Sequence, residues 1–188
     1  MSRRQTPRPF NMPLPSIWLM TDLRFGTDLL PAIKRLPARS GVIFRHYHLD
    51  DKARLTLFRQ VRRICRRRGH MLLLAGDKRP EWWWHADGIH ARDQRRQSIR
   101  MIHSAPVHNK CELKRARRLG VDMVLISPVF ATASHPGTKP RGRSGFLALA
   151  RQASDINVIA LGGMTARKAM TLDKRSAHGW AAIDAFKL

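Results

Sequence analysis

Hydroxyl and basic side chains follow an apolar run in the middle of the chain and could bind a phosphorylated ligand. Residues 123–126 are all apolar, a pattern typical of a strand that is buried on both faces. Thr132 and Ser134, a few residues later, can donate hydrogen bonds. His135 adds a charge that depends on pH, and Lys139 adds a permanent one. We interpret this stretch as a candidate polyanion site; a solvated loop between a strand and a helix is the alternative.

Other candidate groups lie near or after the carboxyl ends of strand-like segments. Gly162 and Gly163 lie between a strand and a helix, where glycines let a phosphate approach backbone N–H groups, although a tight turn would need them too. Arg45 could bind a diphosphate through two N–H groups, or be a surface arginine. Asp77 could hold Mg²⁺ with substrate phosphates, or simply form a turn, and Asp93 is a weaker candidate for a second carboxylate.

The elements that must position these groups alternate along the chain. Strand-like segments cover residues 17–22, 41–47, 71–75, 86–90, 98–105, 123–130, 157–161 and 179–186. Helical spacing of apolar residues marks 28–36, 53–68, 109–119, 146–153 and 166–172. Alternation predicts parallel pairing, and eight such units predict an α/β fold, a compact (β/α)8 TIM-type barrel, with short or missing helices after strands 3, 4 and 8. An open doubly wound sheet is the alternative. In a barrel, the candidate groups lie at the catalytic face.

Length and composition predict a single domain. With 188 residues, 43% of them hydrophobic, the chain is long enough for a real core. Residues 1–15 are basic and proline-rich, without the apolar stretch of a secretory signal, and we expect a disordered leader before one barrel domain at 16–188. No apolar run approaches the roughly 20 residues of a membrane span, so we expect a cytoplasmic protein. Cys65 and Cys111 form no metal-ligand spacing and are predicted to be reduced thiols.

The charge of the chain is strongly positive. Lys and Arg together number 36 against 13 Asp and Glu, a formal net charge of +23. Such a charge attracts nucleic acid, acidic membranes or phosphorylated substrates, but solvated helix surface or a compositional bias toward arginine would explain it equally well. We expect phosphorylated small-molecule partners and no membrane. Nucleic acid is a possible partner that the sequence does not favour, and the oligomeric state stays open.

Several motifs resemble one enzyme family. They are VIFRHY at 42–47, Asp77 after the third strand, ADGIH at 86–90, VHN at 107–109, GVDMVLISPVFAT at 120–132, VIALGGMT at 158–165 and GWAAIDAF at 179–186. In this order, from strand two to strand eight, they are similar to thiamine phosphate synthase and the related thiazole tautomerase group. SPVFAT and ALGGMT at this separation are fairly specific. The resemblance independently implies the (β/α)8 barrel.

The resemblance also implies a transferase of thiamine biosynthesis. The family joins hydroxymethylpyrimidine diphosphate to hydroxyethylthiazole phosphate and releases diphosphate, with Mg²⁺ neutralising the departing group. The residues it assigns to the pyrimidine diphosphate are Arg45, His135 and Lys139. Those assigned to the thiazole phosphate are Thr132, Ser134, Gly163, Ile183 and Asp184, and those assigned to the metal are Asp77 and Asp93.

This chain departs from the family pattern at several of these places. Polar groups of strand two and of the loops are replaced by Ile43, Tyr47, Gly76 and Pro106, and the second metal carboxylate falls at Arg95. His135 replaces a lysine, Asp184 replaces a serine that contacts phosphate, and Pro128 replaces the histidine of the tautomerase branch. The alternative function is therefore a catalytically impaired member that binds a phosphorylated ligand or nucleic acid.

Overall fold

Eight parallel strands close into a barrel within the residues that the computed structural model describes, which are 13–76, 84–93, 101–132, 137–173 and 175–187. The strands are β1 Ile17–Met20, β2 Gly41–Phe44, β3 Met71–Ala75, β4 Gly88–His90, β5 Ile102–Val107, β6 Met123–Ile126, β7 Asn157–Leu161 and β8 Gly179–Ala182. Each strand pairs with the next along the chain, and β8 pairs with β1, with Trp18 opposite Ala181. This closure confirms the predicted (β/α)8 barrel and excludes the open sheet.

Helices cover the outside of the barrel. They are α1 Leu29–Arg35, α2 Asp51–Arg68, α3 Lys110–Leu119, α4 Gly142–Ala150 and the single turn α5 Ala166–Ala169. The longest, α2, begins where the Asp50 carboxylate accepts a hydrogen bond from the Ala53 N–H at 2.8 Å, and it ends at Gly69 in the left-handed region. Asn109 and Gly120 play the same two roles for α3. Gly69, Asn109 and Gly120 are helix-end signals that the sequence shows, whereas the helical spacing at 53–68 did not include Asp50.

The core explains why the apolar runs became strands. Every residue of β2, β3 and β6 is buried, because each of these strands has the barrel interior on one side and helices on the other. Gly41 is required in this core, since a Cβ there would lie 2.1 Å from the indole of Trp18. The positions of the strand ends, and hence of the groups that follow them, depend on this packing.

Element boundaries are where the sequence interpretation was partly wrong. β5 runs on to Val107 instead of ending at residue 105, because Pro106 lies inside the strand. β6 and β8 end four residues earlier than expected, and α4 begins four residues earlier. After β8 there is a single 3₁₀ turn, Asp184–Phe186, in the described residues. Much of the connections after β3 and β4 lies outside the described residues, so the short helices predicted there stay predictions.

Two further sequence predictions meet the structure only in part. Residues 1–12, most of the predicted leader, lie outside the described residues, while Leu14 is buried and Pro15 accepts a hydrogen bond from the Trp18 indole at 2.7 Å. Cys65 and Cys111 are free thiols, as predicted. Among the described helices, none has both the length and the apolar character needed to cross a bilayer.

Candidate active site

The carboxyl ends of the strands place most of the candidate residues on one face of the barrel. Asp22 and Arg45 follow β1 and β2, Gly76 follows β3, and Arg92 follows β4. The residues after β6, β7 and β8 lie on the same face, because all eight strands are parallel. Two pockets open there, one over β6 to β8 and one over β2 to β5.

The pocket over β6 to β8 gathers four of the five residues assigned to the thiazole phosphate. Its lining includes Thr132, Gly163, Ile183 and Asp184, together with Gly162, Leu161, Met164 and Ala182. Gly163 has a φ of +58°, and a Cβ there would lie 2.2 Å from the Ala131 carbonyl oxygen. Only glycine allows this loop to pass so close to the β6 loop, and the same absence of side chains leaves backbone accessible to a ligand.

The carboxylate of Asp184 is neutralised by basic side chains. Arg24 Nη1 lies 3.0 Å and 3.1 Å from the two Asp184 oxygens, and Lys187 Nζ lies 3.1 Å from one of them. A carboxylate in a phosphate pocket repels the ligand, but here two cations accompany it. Arg24 and Lys187 therefore offset the negative charge of Asp184 at this end of the pocket.

Arg45 lies at the carboxyl end of β2, but its side chain contacts the end of β1. Its Nε donates to the Thr21 carbonyl at 3.0 Å, and its Nη2 forms a short ion pair with Asp22 Oδ2. Asp22 also accepts from Arg24 Nε at 2.8 Å. Burial raises the pKa of Asp22, but the hydrogen bonds from Arg24 and the charges of Arg24 and Arg45 outweigh burial and lower it.

The pocket over β2 to β5 is larger, about 450 Å³. It is lined by Tyr47, Leu49, Asp51, Arg54, Gly76, His90, Ala91, Arg92 and Pro106. Arg54, from α2, reaches inward and donates to the carbonyls of Arg45 at 3.0 Å and Ala75 at 2.6 Å. Its guanidinium lies 5.3 Å from the ring centre of Tyr47. Arg54 thus joins the ends of β2 and β3 and brings a positive charge to the pocket wall.

His90 is a neutral hydrogen-bonding group in this pocket. The Ser104 hydroxyl donates to the Ile89 carbonyl at 3.1 Å, so His90 Nδ1, 2.9 Å from the same hydroxyl, must be the donor in that contact. This assigns the proton to Nδ1 and leaves Nε2 as an acceptor. Burial, followed by the charges of Arg45 and His103, lowers the pKa of His90 to about 3, so the ring stays neutral.

Asp77 and Asp93, which the family resemblance assigns to the metal, are not both described by the structure. Gly76 lines the larger pocket, and Asp77 follows it directly but lies outside the described residues. Asp93 is instead paired with Arg115 at 3.0 Å on the surface. The described ranges contain no group of three or more acidic, histidine or cysteine side chains able to hold a metal ion. One carboxylate supplemented by substrate phosphates is an arrangement that suits Mg²⁺.

The remaining loop residues are less defined. Ser134 and His135 lie outside the described residues, so their assignments to the two phosphorylated substrates stay predictions. Lys139 is exposed on the connection between β6 and α4.

A family model described as thiamine monophosphate synthase matches residues 26–186 of this chain. The chain belongs to this family. The match spans all the strands except β1 and includes both pockets.

Individual proteins that are similar to this chain support the family assignment. The chain is 28% identical over 185 residues to a putative thiamine-phosphate synthase 2 of Aquifex aeolicus, covering 93% of this chain and 99% of that protein. It is 30% identical over 137 residues to a thiamine-phosphate synthase of Geobacillus kaustophilus, covering 69% of this chain but 62% of that protein. The structure of a thiamine phosphate pyrophosphorylase from Pyrococcus furiosus superposes with a TM-score of 0.74 at 19% identity, over 92% of this chain and 86% of that one.

Several site residues of this family member were missed by reasoning from the sequence. Asp22 forms an ion pair with Arg45, and Arg24 bridges Asp22 and Asp184. Arg54 lies in the wall of the larger pocket. The signal for Asp22 was its position at the carboxyl end of the first predicted strand, just as Arg45 lies near the carboxyl end of the second. Arg54 had no such signal, because it lies in a helix among many arginines and points inward only once α2 is packed.

Proposed function

We propose that the chain joins hydroxymethylpyrimidine diphosphate to hydroxyethylthiazole phosphate and releases diphosphate. The carrying observation is that Thr132, Gly163, Ile183 and Asp184, from three separate strand ends, line one pocket. This pocket and the larger one, which is lined by Arg54 and Arg92, lie on the same face. In this proposal each pocket binds one of the two phosphorylated substrates, and their position on one face would bring the substrates together. The expectation of a cytoplasmic location accompanies this proposal.

The reaction needs positioning and charge stabilisation from the protein. The thiazole nitrogen forms a bond to the methylene carbon of the pyrimidine, while the bond from that carbon to the diphosphate oxygen breaks and diphosphate leaves with the electron pair. Arg45, Arg54 and Arg92 are the cations near the departing diphosphate in this proposal, and they stabilise the negative charge that develops on it. His90 Nε2 offers an acceptor to a polar group of the pyrimidine without adding charge.

Mg²⁺ is the cofactor proposed for this reaction. Asp77 would hold it together with the diphosphate oxygens, and the ion would supply further neutralisation of the leaving group. Asp93 would have to leave Arg115 to take part.

The decisive experiment is direct synthesis from the two substrates. Purified protein, both substrates and Mg²⁺ are incubated, and thiamine phosphate is measured against a protein-free control. We expect product from the native chain and a loss of about 10²-fold in kcat/KM for Arg45→Ala, because a charge-assisted contact contributes about 1.5–3 kcal/mol. The matched control is Arg59→Ala, which removes an exposed arginine of α2. Absence of product from the native chain would overturn the proposal.

One observation favours a second candidate function, a family member that binds phosphorylated ligands without turnover. Arg45, the strand-two cation that this chain retains, is ion-paired with Asp22 instead of being open to a ligand. Calorimetric titration with each substrate separates the candidates. Binding of both substrates without product formation would establish the second candidate, whereas product formation would exclude it.

A further inference from the structure

The outer face of α2 carries a stripe of arginines that the proposed reaction does not use. Arg59, Arg63, Arg66 and Arg67 are all exposed, and their spacing places them on one side of the helix. The opposite side, with Phe58 and its apolar neighbours Val61, Ile64 and Cys65, is buried against the barrel. We call the four arginines the α2 basic face.

The α2 basic face lacks the acidic partners that two arginines of α3 have. On α3, Arg115 pairs with Asp93 at 3.0 Å and Arg117 with Asp155 at 2.8 Å. Within the described ranges, none of the four arginines of the α2 basic face forms an ion pair. The charge of Arg66 lowers the pKa of Asp87, but this carboxylate also accepts a hydrogen bond from the backbone N–H of Leu72 at 2.8 Å. Within the described ranges, like charges one helical turn apart on this face therefore repel each other with little compensation.

Further basic residues extend this face at the carboxyl end of α2. Arg39 is exposed, and its backbone N–H bonds to the carbonyl of Arg68 at 3.4 Å, so that both lie beside the helix end. Lys34 and Arg35, in the last turn of α1, are also exposed. Because α1 packs on α2, the positive surface continues across both helices.

We propose that the α2 basic face binds the phosphate backbone of double-stranded nucleic acid. From Arg59 to Arg67 the helix rises about 12 Å, and one strand of a duplex carries three to four phosphates over about that length. All four side chains are arginines, whose planar guanidinium groups bond phosphate oxygens in pairs. An anionic membrane fits less well, since a surface helix inserts an apolar side. The apolar side of α2 is buried, and the large exposed hydrophobic residues of the described chain lie elsewhere.

The location of this face makes the proposal independent of the proposed enzyme activity. The carboxyl end of α2 leads into the amino end of β3, whereas the two pockets lie at the carboxyl ends of the strands. A bound duplex would therefore leave the candidate active site open. Removing these arginines should not change the synthesis of thiamine phosphate.

The test compares two variants that remove equal charge from different helices. The first carries Arg59→Gln, Arg63→Gln and Arg67→Gln, and the control carries Lys110→Gln, Lys114→Gln and Arg118→Gln, three exposed positions on α3. Fluorescence anisotropy with a labelled duplex of about 20 base pairs is measured between about 50 and 200 mM salt. We expect the α2 variant to bind about tenfold or more weakly and to lose about 2.7 from the salt slope, at roughly 0.9 per phosphate contact.

Each possible outcome decides the proposal. The α3 variant should keep nearly native affinity, and circular dichroism should show both variants folded. Equal weakening in both variants would mean that net charge alone attracts the duplex, and the proposal would be wrong. It would also be wrong if the native chain bound no duplex at physiological salt, or bound vesicles of anionic phospholipid instead. Unchanged thiamine phosphate synthesis in the α2 variant would separate this result from any failure of the enzyme proposal.

Discussion

Asp22 and Arg45 form an ion pair that joins the carboxyl ends of β1 and β2. The same carboxylate accepts a hydrogen bond from Arg24, whose guanidinium continues to both oxygens of Asp184 after β8. These four charged residues thus form a continuous row of contacts across the ends of β8, β1 and β2. The row runs from the pocket over β6 to β8 to Arg45.

Replacing Asp22 by Asn should weaken binding of the pyrimidine diphosphate. The amide keeps the size of the side chain but loses the charge that orients Arg45, so we expect KM for this substrate to rise about tenfold with a smaller change in kcat. Steady-state kinetics with the second substrate saturating measures both constants. A fall in KM would instead show that Asp22 competes with the diphosphate for Arg45. Asp173→Asn, an exposed aspartate away from the site, is the control.

Replacing Asp184 by Ser should strengthen binding of the thiazole phosphate. The substitution removes a negative charge from the pocket lined by Thr132 and Gly163 and frees the guanidinium of Arg24 for the ligand. We expect KM for this substrate to fall about tenfold, the magnitude of one charge-assisted contact. Isothermal titration with the thiazole phosphate provides a second readout without turnover. Weaker binding would mean that Asp184 is needed to hold Arg24 in place.

Stability should fall as the pH is lowered, partly because of His46. Its ring is buried, and burial, followed by the charge of His48, lowers its pKa from 6.5 to about 4. Between these two values the unfolded chain binds a proton that the folded chain does not, so the free energy of unfolding declines as the pH falls through this window. The slope from one such group is at most about 1.4 kcal/mol per pH unit.

His46→Asn should reduce that pH dependence. Asparagine tolerates the positive φ of 38° at this position and does not titrate. Urea unfolding at about pH 7.5 and about pH 5 should show a smaller difference in the variant than in the native chain. The matched control is His85→Asn, an exposed histidine with a φ of 60°. If His46→Asn keeps the native pH dependence, the ring is not held neutral in the fold.

Gly163→Ala should be much more harmful than an equivalent change at Gly120. Both glycines have positive φ, +58° and +70°, so both substitutions strain the backbone by about 1 kcal/mol. At Gly120 a Cβ meets nothing within 4 Å, whereas at Gly163 it would lie 2.2 Å from a backbone oxygen. We expect an additional loss of roughly 1–3 kcal/mol in urea unfolding, together with weaker thiazole phosphate binding. Equal losses at both positions would show that the loop shifts freely.

The barrel was predictable from the sequence because its signals are local and repeated. Apolar runs such as 71–75 become strands that are buried on both faces, and Gly69, Asn109 and Gly120 mark helix ends through short-range hydrogen bonding. Alternation predicted parallel pairing, and the closure of β8 onto β1 decided between the barrel and the open sheet. Boundaries were less predictable, since a residue such as Pro106 normally interrupts a strand, yet here it lies within β5.

The candidate site was predictable only where residue type and position after a strand coincide. Thr132 and Gly163 meet these conditions, whereas Asp184 was assigned through the family resemblance, and the structure brings all three together. The contacts of Arg45 with Asp22, and of Arg54 with two strand ends, depend on side-chain directions that no sequence pattern specifies. A description from sequence alone therefore named Arg45 but neither its carboxylate partner Asp22 nor the inward-facing Arg54.

The charged chain from Asp184 to Arg45 has a consequence for how the two substrates would be taken up. A phosphate that draws Arg24 away from Asp184 also changes the hydrogen bond between Arg24 and Asp22. Asp22 in turn orients Arg45 through their ion pair. Occupancy of one pocket would then change the affinity of the other, and thermodynamic linkage makes that effect equal in both directions. We therefore expect the Kd for one phosphorylated substrate to change when the other substrate is bound to the barrel.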